Sequence, residues 1–154
     1  MRLIFALLLI GCNAGSSDKL VDLAPKLRLN VEDLISRREG EGDNTRISET
    51  FRSPTRQKAL AGLSKLLPGF AVTSTTVSRH SRVRGGKPAA CAVDLRPIGL
   101  ETMAEQAQYY AELRDQAREI GLSSGADYKP RKSSPFYDYG LGWDPGHIYA
   151  KICG

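Results

Sequence analysis

The chain has only two histidines, and both lie in settings that suit metal chemistry. His80 lies near the start of a stretch from residue 78 to residue 95 that is basic and glycine-rich in its middle and ends with Asp94 and a leucine. His147 lies near the C-terminus, in the segment Gly-Trp-Asp-Pro-Gly-His. Two histidines and one carboxylate are a suitable ligand set for a divalent metal. The sequence therefore predicts that His80, Asp94 and His147 meet around one ion.

This ligand set is typical of catalytic zinc. A catalytic zinc ion takes three protein ligands and keeps its fourth position for water. Neutral imidazoles and one carboxylate leave a formal positive charge on the ion to acidify that water. The reaction also needs a proton acceptor. Asp144 precedes His147 closely, and the Pro145–Gly146 turn can direct its carboxylate toward the open side of the metal.

Strand patterns surround two of the candidate ligands. Residues 92–95 predict a short strand that carries Asp94 on one face and Val93 and Leu95 on the other. Residues 147–152 predict a C-terminal strand with His147 on its polar face. Both side chains are therefore available for chemistry on a sheet surface.

Helix signals position the rest of the chain. Ser53 followed by Pro54 predicts a helix start, so Arg52 lies where a strand leads into a helix. Residues 102–105 form a capping box that opens a long helix, which ends at Gly121. Near the N-terminus Pro25 interrupts the apolar pattern, and a short helix is predicted only over residues 31–38.

Composition bounds the class of protein. A chain of 154 residues is long enough for one domain with its own core, and 41% hydrophobic with 25% charged residues is ordinary for a soluble globular protein. The net charge of +5 suits nucleic acid, an acidic cell-wall polymer or a membrane surface, and equally a solvated basic face.

The first residues predict export. Met1 and Arg2 precede a short apolar run over residues 3–10, which is far shorter than a membrane span. The following Gly11-Cys12 completes a segment that resembles the bacterial lipobox, in which the cysteine is acylated; a buried segment with an incidental Cys12 is the alternative. We therefore divide the chain into a lipoprotein-type signal peptide (1–12), a tether with an N-terminal helical segment (13–45) and a catalytic domain (46–154).

Four stretches resemble the M15 metallopeptidases, which include D-alanyl-D-alanine carboxypeptidases, L-alanyl-D-glutamate endopeptidases and many phage endolysins. Residues 51–57 resemble the family's aromatic-Arg-Ser segment with a nearby glutamine. Residues 78–80 and 92–95 resemble the segments of the first two metal ligands. Residues 142–147 resemble the Trp-Asp-x-x-His segment. The order and overall separation of these stretches agree with the family over roughly residues 45–154.

The resemblance implies a role for each matching residue. His80, Asp94 and His147 would bind one zinc ion, and Asp144 would be the general base. Arg52 would hold a substrate carboxylate or stabilise the oxyanion. Gln57 would support it in substrate binding, and Ser78 would position a backbone or substrate group.

The resemblance also implies a fold and a function. The fold would be α+β, Hedgehog/DD-peptidase-like: a small antiparallel sheet with helices packed on it and the ligands on its open face. The function would be zinc-dependent cleavage of peptidoglycan stem peptides near D-amino acids. With Cys12 acylated, the protein would be exported as a monomer and held at the bacterial membrane, facing the periplasm or cell wall.

One departure from the family pattern keeps an alternative open. The loop over residues 81–91 is longer than the family's, and Ala90 stands where glycine is expected. An insertion can loop out at modest entropic cost, but it is equally compatible with a non-catalytic lipoprotein that binds peptidoglycan. A third hypothesis is DNA binding by Arg79, Arg82, Arg84 and Lys87. No nucleic-acid-binding motif accompanies this cluster, so we expect no nucleic-acid partner.

The remaining cysteines, Cys91 and Cys153, follow from the predicted metal site. Cys91 lies just before the strand of Asp94, and Cys153 lies just beyond the strand of His147. If shared metal ligation makes these strands neighbours, the two thiols can form a disulfide in an oxidising compartment. Two separate buried thiols are the alternative.

Overall fold

The computed structural model describes residues 15–66 and 75–153. Its helices are α1 (Pro25–Gly40), α2 (Pro54–Leu66) and α3 (Met103–Glu119). Its strands are β1 (Ser16–Ser17), β2 (Asn44–Glu49), β3 (Phe51–Arg52), β4 (Val83–Arg84), β5 (Lys87–Pro88), β6 (Ala92–Ile98), β7 (Ser123–Ser124) and β8 (His147–Tyr149). The main sheet has four antiparallel strands in the order β2–β6–β8–β7.

The alternation of side chains along β6 separates the core from the candidate site. Val93 and Leu95 are fully buried and belong to one hydrophobic core with Ile148 of β8. Buried side chains of α1 and α3 belong to the same core, among them Leu34 and Leu113. Asp94 points to the opposite face of the sheet. The predicted α+β fold with helices on a small antiparallel sheet is confirmed.

Helix α1 is longer than the sequence predicted. We expected Pro25 to interrupt a helix and placed a short one over residues 31–38, but Pro25 is the first residue of α1. Proline is tolerated there because the first N–H groups of a helix have no partner within the helix. Leu27, Val31 and Leu34 then form one buried stripe along α1.

The segment before residue 46 packs on the domain that follows it. Ser16 and Ser17 pair with Arg52 and Phe51, and the buried stripe of α1 contributes to the main core. The predicted tether is therefore paired with the domain from Ser16 onward. The predicted signal peptide and Cys12 lie outside the described residues. Within the described ranges, no helix is long and apolar enough to cross a bilayer.

The other helix signals agree with the structure better than the strand signals do. Thr102 and Glu105 form the predicted capping box at the start of α3. The predicted C-terminal strand, however, ends at Tyr149 instead of continuing to residue 152.

The long loop between the first two candidate ligands forms a β-hairpin. Strands β4 and β5 pair through a turn at Gly85 and Gly86, whose φ angles of 57° and 76° favour glycine. At the base of the hairpin the Ala89 amide donates to the Arg82 carbonyl over 2.9 Å. The insertion therefore forms a separate two-stranded sheet, and the residues on either side of it stay close together.

A disulfide joins Cys91 to Cys153, with 5.8 Å between the two Cα atoms. Of the two alternatives that the sequence left open, the structure has the disulfide. The bond fastens the end of the chain to the residue that precedes β6, and the Arg82 guanidinium donates to the Cys153 carbonyl over 2.5 Å. The strands that carry Asp94 and His147 are thus linked covalently as well as by backbone hydrogen bonds.

Candidate metal centre

The three predicted ligands meet on the open face of the sheet. Asp94 of β6 lies directly opposite His147 of β8, and His80 comes from the 3₁₀ turn Arg79–Ser81. Asp94 Oδ1 lies 2.9 Å from His147 Nδ1 and 3.2 Å from His80 Nε2, and the two ring nitrogens are 3.2 Å apart. Two nitrogens and one oxygen thus converge on a single point, and this donor set suits zinc.

Two backbone contacts orient the buried His80. The Ser78 hydroxyl caps the 3₁₀ turn by accepting from the His80 amide over 3.2 Å. On the ring, Nδ1 lies 2.9 Å from the Thr50 carbonyl, which can only accept a hydrogen bond. Nδ1 therefore carries a proton, so Nε2 is the ring nitrogen left to bind a metal. A hydrogen bond of this kind fixes the tautomer of metal-binding histidines in general.

The charges of the cluster favour an ionised Asp94. Burial alone would raise the pKa of the Asp94 carboxyl, but hydrogen bonds from His147 and His80 lower it well below its ordinary value. Burial would lower the pKa of the His80 imidazole, but its hydrogen bond to Asp94 and the charge of that carboxylate raise it. A carboxylate that is ionised at neutral pH is the form that binds a metal.

Asp144 lies beside this cluster, on the turn that leads into β8. Burial raises the pKa of the Asp144 carboxyl, and the negative charge of Asp94 adds to the rise. The turn is held by close backbone approaches: a Cβ at Gly125 would collide with the Asp144 carbonyl, and one at Gly146 would collide with the Leu95 carbonyl. The glycine of the Pro-Gly-His segment is therefore required by packing against β6.

Arg52 is held by two neighbours and keeps donors for a ligand. Its guanidinium donates to both carboxylate oxygens of Glu49, and one terminal nitrogen donates to Gln57 Oε1 over 2.8 Å. An arginine has five N–H donors, so two of them are without a partner among the described residues. These two can bind a carboxylate or an oxyanion.

Gln57, which the resemblance predicted to support Arg52 in substrate binding, contacts the Arg52 guanidinium from within the protein. It is fully buried, and its amide nitrogen donates to the Thr75 carbonyl over 2.7 Å. Both ends of the amide are thus occupied within the protein, and Gln57 does not line the cleft. It positions Arg52.

Two clefts meet at the cluster. The first, of about 300 Å³, contains most of the predicted site; its lining includes Arg52, Ser78, His80, Asp94, Asp144 and His147. The second, of about 440 Å³, lies on the other side of Asp94 and is also lined by Trp143 and Asp144. Because Asp94, Trp143 and Asp144 line both clefts, an extended ligand can cross the cluster from one cleft to the other.

Sequence reasoning missed four contributors to the site. Glu49 orients Arg52 through an ion pair between residues three positions apart. Thr50 orients His80 through its backbone carbonyl, which leaves no sequence signal. Tyr128 and Trp143 line the first cleft, with ring centroids 5.7 Å apart. The position of Trp143 next to Asp144 was the one available signal.

The fold is shared with solved peptidase structures. The sequence matches no protein-family model and no curated protein. VanYB in complex with D-alanine-D-alanine is 16% identical over 86% of this chain and 72% of its own, with a TM-score of 0.54. The L-Ala D-Glu endopeptidase ChiX of Serratia marcescens is 23% identical over 90% of this chain and 87% of its own, also with a TM-score of 0.54.

A third similar structure contains a metal. It is a mutant of the vancomycin resistance D,D-pentapeptidase VanY in complex with Zn(II), 17% identical over 85% of this chain and 74% of its own, with a TM-score of 0.52. The chain therefore has the fold of the VanY and ChiX peptidases, as its resemblance to the M15 metallopeptidases predicted.

Proposed function

We propose that the protein is a zinc-dependent peptidase that cleaves peptidoglycan stem peptides near D-amino acids. The observation that carries the proposal is the convergence of His80, Asp94 and His147, with Asp144 and Arg52 lining the same cleft. The longer loop that kept a non-catalytic alternative open projects as a hairpin and leaves the ligand atoms together.

The described residues fit a zinc ion. His80 would bind it through Nε2, His147 through Nδ1 and Asp94 through Oδ1, because these atoms face one another. Zinc bound there would supply a Lewis acid that acidifies water and polarises a peptide carbonyl.

The remaining residues handle protons and position the peptide. Asp144 accepts a proton from water in the cleft and returns it to the leaving amine, and its raised pKa brings it nearer the range suited to both transfers. Arg52 binds the substrate carboxylate or the oxygen that gains negative charge, since its two remaining donors lie in a mostly buried site. Gln57 and Glu49 hold the guanidinium in place before substrate arrives.

The substrate class rests on the similar structures. One binds D-alanine-D-alanine and another is an L-Ala D-Glu endopeptidase. The first ligand consists of D-amino acids, and the second enzyme is named for a bond that includes D-Glu. We therefore propose that this chain acts on a peptide bond next to a D-residue, as a carboxypeptidase or an endopeptidase.

We also propose that the protein is an exported monomer, anchored to the bacterial membrane through Cys12. The disulfide supports export, because such bonds persist in oxidising compartments. The full chain should partition with membranes and Cys12→Ser should not, since lipidation supplies the attachment. Equal partitioning of the two proteins would refute the anchor.

Metal content and peptide cleavage test the peptidase proposal together. The full chain should bind close to one zinc per molecule and cleave synthetic peptides that contain D-Ala-D-Ala or L-Ala-γ-D-Glu. His147→Ala should lose both properties, because two protein ligands are too few for a tight site. Lys151→Ala, an exposed change near the same chain end, is the control and should keep both. A zinc-loaded chain that cleaves neither peptide would refute the proposal.

A further inference from the structure

Two arginines face each other on the open side of the sheet. Arg46 of β2 is the direct cross-strand partner of Arg96 of β6, and both side chains are exposed. Like charges in directly opposed positions destabilise an antiparallel pair. Two exposed arginines can usually move apart to reduce their repulsion. Here the strand register holds the Cα atoms of Arg46 and Arg96 opposite each other.

Neither arginine is neutralised by its surroundings. Among the described residues, neither makes a hydrogen bond or an ion pair with another side chain. Both line the 440 Å³ cleft, whose acidic lining residues are Asp94 and Asp144. Asp94 is already paired with His80 and His147. One carboxylate therefore faces two guanidinium groups, and a positive charge remains.

The 440 Å³ cleft continues the cleft that Arg52 lines. Its walls include aromatic and aliphatic side chains, among them Tyr110, Pro135 and Phe136. It meets the Arg52 cleft at Asp94, Trp143 and Asp144. A peptide held at the cluster would therefore place residues on both sides of the reacting bond, with Arg52 on one side and the arginine pair on the other.

We infer that the cleft beside Arg46 and Arg96 is a second substrate subsite, and that it binds a free carboxylate on the peptide. This carboxylate belongs to a residue on the side of the scissile bond away from Arg52. The inference rests on the proposed function and deepens it, because it selects acidic stem peptides over those in which the same carboxylate is amidated. Paired guanidinium groups suit this ligand, since charge-assisted hydrogen bonds to carboxylate are strong and directional.

Two synthetic peptides that differ only in one group, a carboxylate or a carboxamide beside the scissile bond, test the subsite. The measured quantity is the ratio of their kcat/KM values, because changes common to both peptides cancel in it. The full chain should prefer the carboxylate peptide by roughly 10- to 100-fold. The double variant Arg46→Gln/Arg96→Gln should bring the ratio close to one. Arg84→Gln, an exposed arginine on the hairpin, is the matched control and should keep the full preference.

A binding measurement separates this inference from the proposed function. Calorimetry on the Asp144→Asn chain should show tighter binding of the carboxylate peptide, and the two arginine changes should abolish the difference. If the arginine changes abolish the difference in binding between the two peptides, but the unmodified chain cleaves neither peptide, the subsite is supported and the peptidase proposal is refuted. Cleavage with the same ratio in the double variant would support the peptidase and overturn the subsite. A lower unfolding midpoint with an unchanged ratio would likewise overturn it, since the arginines would then serve the fold.

Discussion

The disulfide makes a quantitative prediction about stability. Cys91 and Cys153 are separated by 62 positions in sequence, and their bond closes a loop that contains α3, β6 and β8. In the unfolded chain this closure removes conformations that would otherwise be available. Replacing both cysteines by serine should therefore lower the free energy of unfolding.

The loop length sets the magnitude. The chain-entropy relation for a loop of this size gives about 4 kcal/mol at 25 °C. For a domain of this size a loss of about 4 kcal/mol lowers the melting temperature by roughly 8–16 °C. The double variant should keep its native fold at room temperature, because the backbone pairing of β6 with β8 does not depend on the bond.

Guanidinium titration of the oxidised chain and of Cys91→Ser/Cys153→Ser measures the effect, and Cys12→Ser is the matched control. The control should unfold like the unmodified chain, and mass spectrometry after alkylation checks that its other two sulfurs remain bonded. A loss of less than about 1 kcal/mol in the double variant would refute the entropic argument.

Five further predictions concern the site. Asp144→Asn should lower kcat by roughly 10²–10⁴-fold while zinc stays bound, and near-normal turnover would place the base elsewhere. Gln57→Leu should lower kcat/KM about tenfold by releasing Arg52, with no change in zinc content; an unchanged value would contradict the positioning role. Zinc affinity, measured against a competing chelator, should fall as the pH drops through the raised pKa of His80, and a flat profile from pH 6 to 8 would contradict this. In the zinc-free chain the raised pKa of His80 also stabilises the fold. This stabilisation is complete below the His80 pKa of the unfolded chain, about 6.5, and is lost as the pH rises through the His80 pKa of the folded chain. Urea unfolding at several pH values in the presence of a chelator measures it. Gly146→Ala should weaken zinc binding through its collision with β6, and unchanged affinity would show that the strands adjust.

Short motifs predicted the parts of the site that depend on residue type. His80, Asp94, His147 and Asp144 were identified because each stands in a segment with a recognisable neighbour. The alternation around Asp94 predicted the face on which it lies, since period two in a strand follows from backbone geometry alone.

Features that depend on register or packing could not be predicted in the same way. The opposition of Arg46 and Arg96 exists only because β2 pairs with β6 in one register. The contact of His80 with Thr50 involves a backbone carbonyl, which every residue has. Pro25 shows a different difficulty, because a proline can either end a helix or begin one. The outcome depends on packing: here the helix that begins at Pro25 buries Leu27, Val31 and Leu34.

The β4–β5 hairpin has a consequence for how this chain can change over time or by design. Its base is closed by backbone hydrogen bonds, so the loop beyond the base can grow while the residues on either side stay in place. Each doubling of a flexible loop costs only about 0.6 kcal/mol. The spacing between His80 and Asp94 along the chain is therefore free to drift between homologous proteins, even though their separation in space is not. The Gly85–Gly86 tip has open space around it and is accordingly a suitable point for grafting a tag or a binding peptide.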